Sequence, residues 1–291
     1  MIYLLLSIIA STLIFIAFKL FDKYKINTLQ AIVVNYFIAC LFGLWMYDKP
    51  IEIHTIIASK WIYGAIVLGF LFIAIFNVMA LTAQRKGLSV ASVASKMSVI
   101  IPIIFGIYVY HESVGAQKII GIVLALVSVY LSSVKSKNIS NPTKGLWLPI
   151  LLFFGSGIID TSIKYIETRY LPENSIPIFS ATIFAFAFVI GCSILIFRAS
   201  KQPFTFPLKT LIGGAFLGIT NYYSMYYLLK ALNHESLESS TLFTVNNVAI
   251  VMITTLLGVL FFKENISKTN WAGILLAIIS IVIVTLDLSS N

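Results

Sequence analysis

Long apolar runs separated by brief polar punctuation dominate the chain. Ten windows hold enough consecutive apolar residues to cross a membrane as helices: 2–21, 28–47, 61–83, 88–110, 116–133, 146–166, 175–198, 208–232, 239–262 and 270–287. A helix rises about 1.5 Å per residue and needs about 20 apolar residues to span about 30 Å of hydrocarbon. Barrel strands would alternate apolar and polar positions, and these runs do not. In hydrocarbon every backbone N–H and C=O must be bonded inside its own segment, which leaves helices. The pattern predicts an all-α, polytopic membrane protein of about ten transmembrane helices.

Composition sharpens this expectation. Only 11% of the 291 residues are charged and 59% are hydrophobic, too few charges for a water-facing surface. The longest polar stretches, 48–60, 134–145 and 199–209, leave no room for a soluble domain. The net charge of +9 forms no basic stripe, so it points to loop lysines that orient the chain rather than to nucleic acid. Alternate connections hold twelve and five of the 20 Lys and Arg residues, a bias that by itself places both termini outside. The first run lacks a basic leader and a small-residue cleavage site, and reads as a retained helix. Cys40 and Cys192 fall inside apolar runs and read as small core residues.

An internal repeat is the strongest signal. At a constant offset of 152 residues, Gly106 matches Gly258, Glu112 matches Glu264, Gly121 matches Gly273 and Ala125 matches Ala277. Nearer the start of each half, Lys19 matches Lys164. The predicted organisation is a five-helix repeat at 1–135, a linker at 136–145 and a second five-helix repeat at 146–291. Five is odd, so the second half enters the membrane from the opposite side, giving an inverted repeat. In such proteins the ligand site lies near the midplane, at the interface between the two halves.

At these residues the chain resembles the ten-helix, EamA-like branch of the drug/metabolite transporter superfamily. The first copy of the doubled motif runs Pro102-x3-Gly106, Glu112, Gly121-x3-Ala125; the second runs Gly258, Glu264, Gly273-x3-Ala277, with Thr254 in place of the proline. The resemblance implies a secondary carrier, often an exporter, of amino acids, nucleosides or other small metabolites. It also implies termini in the cytoplasm, against the charge count, so orientation stays open. A multi-pass protein of a bacterial inner (plasma) membrane is the expected setting.

Polar residues inside the spans nominate a site, because charge at depth costs about 2.5–3.5 kcal/mol on insertion scales. Lys96 lies well inside its span; it suits a substrate carboxylate or a proton, and equally a pair with a carboxylate such as Glu238. Asn246 and Asn247 occupy the repeat positions of Ala94 and Ser95, close to Lys96 by pseudosymmetry. Asn77, Asn221 and Tyr222 join them as candidate substrate-binding residues. Asp160 and Lys164 stand one helical turn apart, and either serve the site or pair structurally. Asn35 reads as glue between helices. Tyr222, Tyr223, Tyr226 and Tyr227 read first as an interfacial aromatic belt, with Tyr222 and Tyr226, one turn apart, able instead to stack on a flat substrate; Lys19 reads as a residue snorkelling to a helix end. Glu112 and Glu264 read as caps of the helix that follows each, or as anchors of tight turns, rather than as proton couplers.

The expected partners are a small-molecule solute, membrane lipids and a coupling ion; small-x3-small faces leave room for a homodimer. No cofactor, metal or nucleic acid is expected. G-x4-G-K-[ST] is absent, so a gradient rather than ATP must drive flux. His54 and His111 fall in connections, His234 at a span edge, and Asp160 has no second aspartate at depth, so no catalytic constellation appears. A non-transporting scaffold or receptor is the other reading.

Overall fold

The computed structural model describes residues 2–51, 53–110, 116–133, 146–172, 175–200, 205–234 and 239–288. All regular structure among them is helical. The helices are α1 (Ile2–Lys23), α2 (Thr28–Trp45), α3 (Ile53–Ala58), α4 (Trp61–Lys86), α5 (Leu88–Met97), α6 (Ile100–Tyr110), α7 (Ala116–Ser133), α8 (Trp147–Tyr170), α9 (Ile176–Ala199), α10 (Leu208–His234), α11 (Ser239–Phe262) and α12 (Lys268–Leu288). Each of the ten predicted spans is present. Among the described residues, seven spans are long and apolar enough to cross a membrane by length and composition alone. Ile150, Phe154, Val189 and Ile196 are among the many large apolar side chains left exposed, as a lipid-facing surface requires.

One span departs from its expectation. The run 88–110 is not a single helix: it divides at Ser98–Val99 into α5 and α6. Pro102 gives the reason. It has no N–H to offer the Ser98 carbonyl and its ring crowds that position. The Ser98 carbonyl is taken instead by Ile101 N–H at 2.9 Å, a tighter turn, while Ser98 Oγ donates to the Ser95 carbonyl.

The chain forms two compact units. The first takes in residues 1–19, 78–158 and 223–291; the second, 20–77 and 159–222. Each unit therefore draws on both sequence halves.

In the first unit, α7 and α12 pack antiparallel through repeat-related residues. Ser280 Oγ donates to the Gly121 carbonyl at 2.7 Å. At the equivalent place, the Ser128 carbonyl lies 2.9 Å from where a Cβ on Gly273 would sit. Ala125 and Ala277, between these contacts, are fully buried. Small residues let two backbones approach this closely. Around them Val93, Met97, Ile100, Val129, Phe153, Val251, Ile274 and Ile281 complete an apolar core.

The second unit repeats the arrangement with α2 and α9. Gly43 lies against Ala181, and Gly191 against Val33. Val33, Asn35, Ile38 and Gly43 map in register onto Ala181, Ile183, Phe186 and Gly191. The next pair of helices obeys the same symmetry: Gly69 of α4 meets Ile183 and Phe186, while Gly218 of α10 meets Asn35 and Ile38. Sequence reading found no residue correspondence between these two helices. The structure supplies it, as Gly64-x4-Gly69 against Gly213-x4-Gly218. Equivalent elements run antiparallel in both units, which is the geometry of an inverted repeat.

Candidate functional site

The candidate residues divide between the units. Lys96, Asn246 and Asn247 belong to the first; Asn77, Asp160, Lys164, Asn221 and Tyr222 belong to the second.

In the second unit, the Asn221 and Asn35 amides meet at 3.2 Å and both residues are buried. That is the polar glue expected of Asn35. Tyr222 is buried with its ring 5.7 Å from Phe42. Asn77 donates to the Ile73 carbonyl of its own helix at 2.7 Å. Asp160 and Lys164 stand one turn apart on the exposed face of α8.

In the first unit, Lys96 is half-buried on the last turn of α5, immediately before the helix interruption. A cation there is favoured by the partial negative charge of the helix C-terminus. α5 runs antiparallel to α11: Ser89 neighbours Gly258, and Ser92 Oγ accepts from Thr254 Oγ1 at 2.7 Å. Two turns before Thr254, the buried Asn246 accepts from Ser7 Oγ of α1 at 3.3 Å. The same Ser7 hydroxyl reaches the Ser224 carbonyl of α10 at 3.0 Å. It has one proton to give, so these two acceptors share it. Asn247 is also buried. Two polar contacts thus stand about two turns apart on α11, Thr254 against α5 and Asn246 against α1, with the buried Ile250 and Val251 between them.

Two further clusters stand in this unit. At one, Glu264 joins three segments. Its carboxylate accepts Leu88 N–H at 2.8 and 3.1 Å and pairs with Lys19 Nζ at 3.2 Å. Lys19 also donates to the Ala83 carbonyl at 3.3 Å. Glu264 N–H closes the end of α11 onto the Gly258 carbonyl at 2.9 Å, as a turn anchor would, but the cap expectation needs correcting. It does cap a helix, but that helix is α5, not the one that follows it. Ser267 serves α12, accepting Asn270 N–H at 3.1 Å. Lys19, expected to snorkel, is instead the carboxylate's counter-ion. Two glycines make the seat: a Cβ on Gly87 would fall 2.6 Å from Glu264 Oε2, and one on Gly258 would fall 2.7 Å from it. Gly87 has φ +108° and ψ 164°, a conformation open in practice only to glycine. A shallow depression of about 400 Å³ lies beside the carboxylate, lined by Val259, Asn265, Ile266, Ser267 and Trp271. Glu112, the repeat mate of Glu264, lies outside the described residues.

The other cluster was missed as a unit. Tyr223 and Tyr227 stack at 5.3 Å, Tyr3 of α1 stacks on Tyr227 at 6.4 Å, and Tyr226 closes the group edge-on. Lys230 Nζ lies 5.1 Å from the ring centroids of both Tyr3 and Tyr226. These rings turn onto one another and onto a cation, near the ends of α1 and α10. The spacing Tyr223, Tyr226, Tyr227, Lys230 on one helical face was the available signal.

Of the other motif residues, Gly106, Gly121, Gly258 and Gly273 are buried, and Pro102 is half-buried beside the interruption it causes.

The chain matches the model of the EamA-like transporter family over residues 1–134 and again over residues 143–286. A protein of Haemophilus influenzae, described as uncharacterized, is 28% identical over 284 residues, covering 96% of this chain and 95% of its own. A solved crystal structure superposes with a TM-score of 0.62 over 99% of this chain and 97% of its own, at 13% identity, a likeness of fold alone.

Proposed function

Since the chain belongs to the EamA-like transporter family, within the drug/metabolite transporter superfamily, and is an integral multi-pass membrane protein, we propose that it is a secondary carrier that exports a small polar metabolite across a bacterial inner membrane. The observation that carries this reading is the helix interruption at Ser98–Val99, with Lys96 on the turn before it and α11 packed alongside. The break ends α5 beside Lys96 with its Ser98 and Val99 carbonyls bonded within the tightened turn, and broken helices are where carriers of inverted-repeat architecture build solute sites. Lys96 supplies the charge, and Asn246 and Asn247 supply directional hydrogen bonds to a carboxylate, amide or hydroxyl. Asn77, Asp160, Lys164, Asn221 and Tyr222 stand as candidates in the second unit. Two related halves give two related states, one facing each side of the membrane. A solute or ion gradient then drives exchange between them.

The test is flux. In proteoliposomes, Lys96→Ala is expected to abolish solute movement while folded yield stays at the wild-type level. Unchanged flux in that variant removes Lys96 from the site. A thermal-shift screen against amino acids, nucleosides and organic anions identifies the solute, since a ligand that binds at 100 times its Kd stabilises by about 2.7 kcal/mol.

A further inference from the structure

The tyrosine cluster around Lys230 has a chemistry that the carrier site leaves unused. Tyr223, Tyr226, Tyr227 and Lys230 fall on one face of α10 because residues three, four and seven apart in a helix share a face. Tyr3 arrives from α1 and completes a stack of three rings, Tyr3 on Tyr227 on Tyr223, with interplanar angles of 19° and 22°. All five side chains are partly exposed, so the stack is reachable. A hydrogen bond to Tyr226 and the rings of Tyr3 and Tyr226 hold the ammonium in place. Ser7 is one turn along α1 from Tyr3, and Ser224 follows Tyr223 on α10. The buried hydrogen bonds Ser7–Asn246 and Ser7–Ser224 tie α1 to α11 and α10 at that level.

We propose that Tyr3, Tyr223, Tyr226, Tyr227 and Lys230 form a selectivity site for flat, conjugated carboxylates. The carboxylate pairs with Lys230, and the conjugated plane stacks on the tyrosine faces, which favour offset-stacked partners. A resident ammonium repels cationic amines, so the site discriminates by charge as well as by shape. This assignment rests on the carrier reading and names its substrate class. It belongs to residues that the Lys96 site does not contain.

The experiment is binding to the purified, detergent-solubilised full chain, read by thermal shift and tyrosine fluorescence, with three probes of similar size. Benzoate is flat and anionic, cyclohexanecarboxylate is anionic but not flat, and benzylamine is flat and cationic. Benzoate is expected to bind at least tenfold more tightly than either of the others. Lys230→Gln removes at least tenfold of the benzoate affinity, and Lys230→Arg retains most of it. Tyr227→Leu erases the preference for benzoate over cyclohexanecarboxylate while leaving both bound. Equal binding of benzoate and benzylamine, or full benzoate affinity in a folded Lys230→Gln variant, overturns the proposal and leaves an interfacial aromatic belt. Benzoate binding with these variant effects but without flux in proteoliposomes overturns the carrier reading alone. Flux of another solute that depends on Lys96 and ignores Lys230 overturns this proposal alone.

Discussion

The two ends of α1 in the first unit treat a lysine in opposite ways. At Lys19 the ammonium meets a carboxylate whose oxygens also accept a helix N-terminal N–H, in a seat shaped by two glycines. The side chains there are only 20% and 11% exposed. At the Tyr3 end, 16 residues and about 24 Å of helix away, the ammonium of Lys230 is held by ring faces at a partly exposed surface. The first arrangement satisfies charge with charge and fixes three segments of backbone. The second holds a charge by a tyrosine hydrogen bond and ring faces, with no carboxylate among the groups named there, while an anion can still reach it. A lysine of the first kind is structural and one of the second kind is suited to recognition.

If that contrast is sound, disturbing the Lys19 end should cost stability and disturbing the Lys230 end should cost selectivity. The largest effect is expected at Gly87. Any side chain there meets the Glu264 carboxylate and a backbone conformation that other residues avoid. Gly87→Val should destabilise by about 3 kcal/mol or more, measured as a lower thermal midpoint and reduced folded yield. Next, Lys19→Met and Glu264→Gln should each destabilise, and the double variant should lose less than the two together. A double-mutant cycle should give a coupling of on the order of 1–3 kcal/mol, and additive losses would mean the pair is incidental. Ala125→Leu, at the fully buried α7–α12 contact, should overpack it by about 1–3 kcal/mol; no loss would deny the close backbone approach. Ser7→Ala should cost only about 1 kcal/mol of stability, yet shift solute affinity measurably. The smallest stability effect, within about 0.5 kcal/mol, should be that of Lys230→Gln, which changes solute preference instead.

Periodicity and length alone made the ten spans legible, because lipid imposes one rule on every residue of a span. The doubled Gly121/Ala125 and Gly273/Ala277 motif likewise announced its own contact, since small residues spaced by four have a packing meaning. Long-range pairing was not legible. Nothing local ties Glu264 to Leu88, so a glutamate beside a helix start reads as the cap of that start. The interruption at Ser98–Val99 could have been read from Pro102, yet proline is common enough in membrane helices that a straight span was the simpler expectation. The glycine correspondence of α4 and α10 was visible as an identical spacing but lay in helices that otherwise diverge. The tyrosines of α10 read as an interfacial belt, and nothing local showed that Tyr3, more than 200 residues away, stacks on them.

The site of Lys96 must be open to water from the two sides of the bilayer in turn, or the chain cannot carry anything past it. The direct measurement uses a single cysteine at Ser95, in a background with Cys40→Ala and Cys192→Ala, and a membrane-impermeant thiol reagent applied to each side of sealed vesicles. Labelling from both sides, slowed by transported solute, is the predicted result. Labelling only by a lipid-soluble maleimide would place this turn against acyl chains and contradict the carrier account.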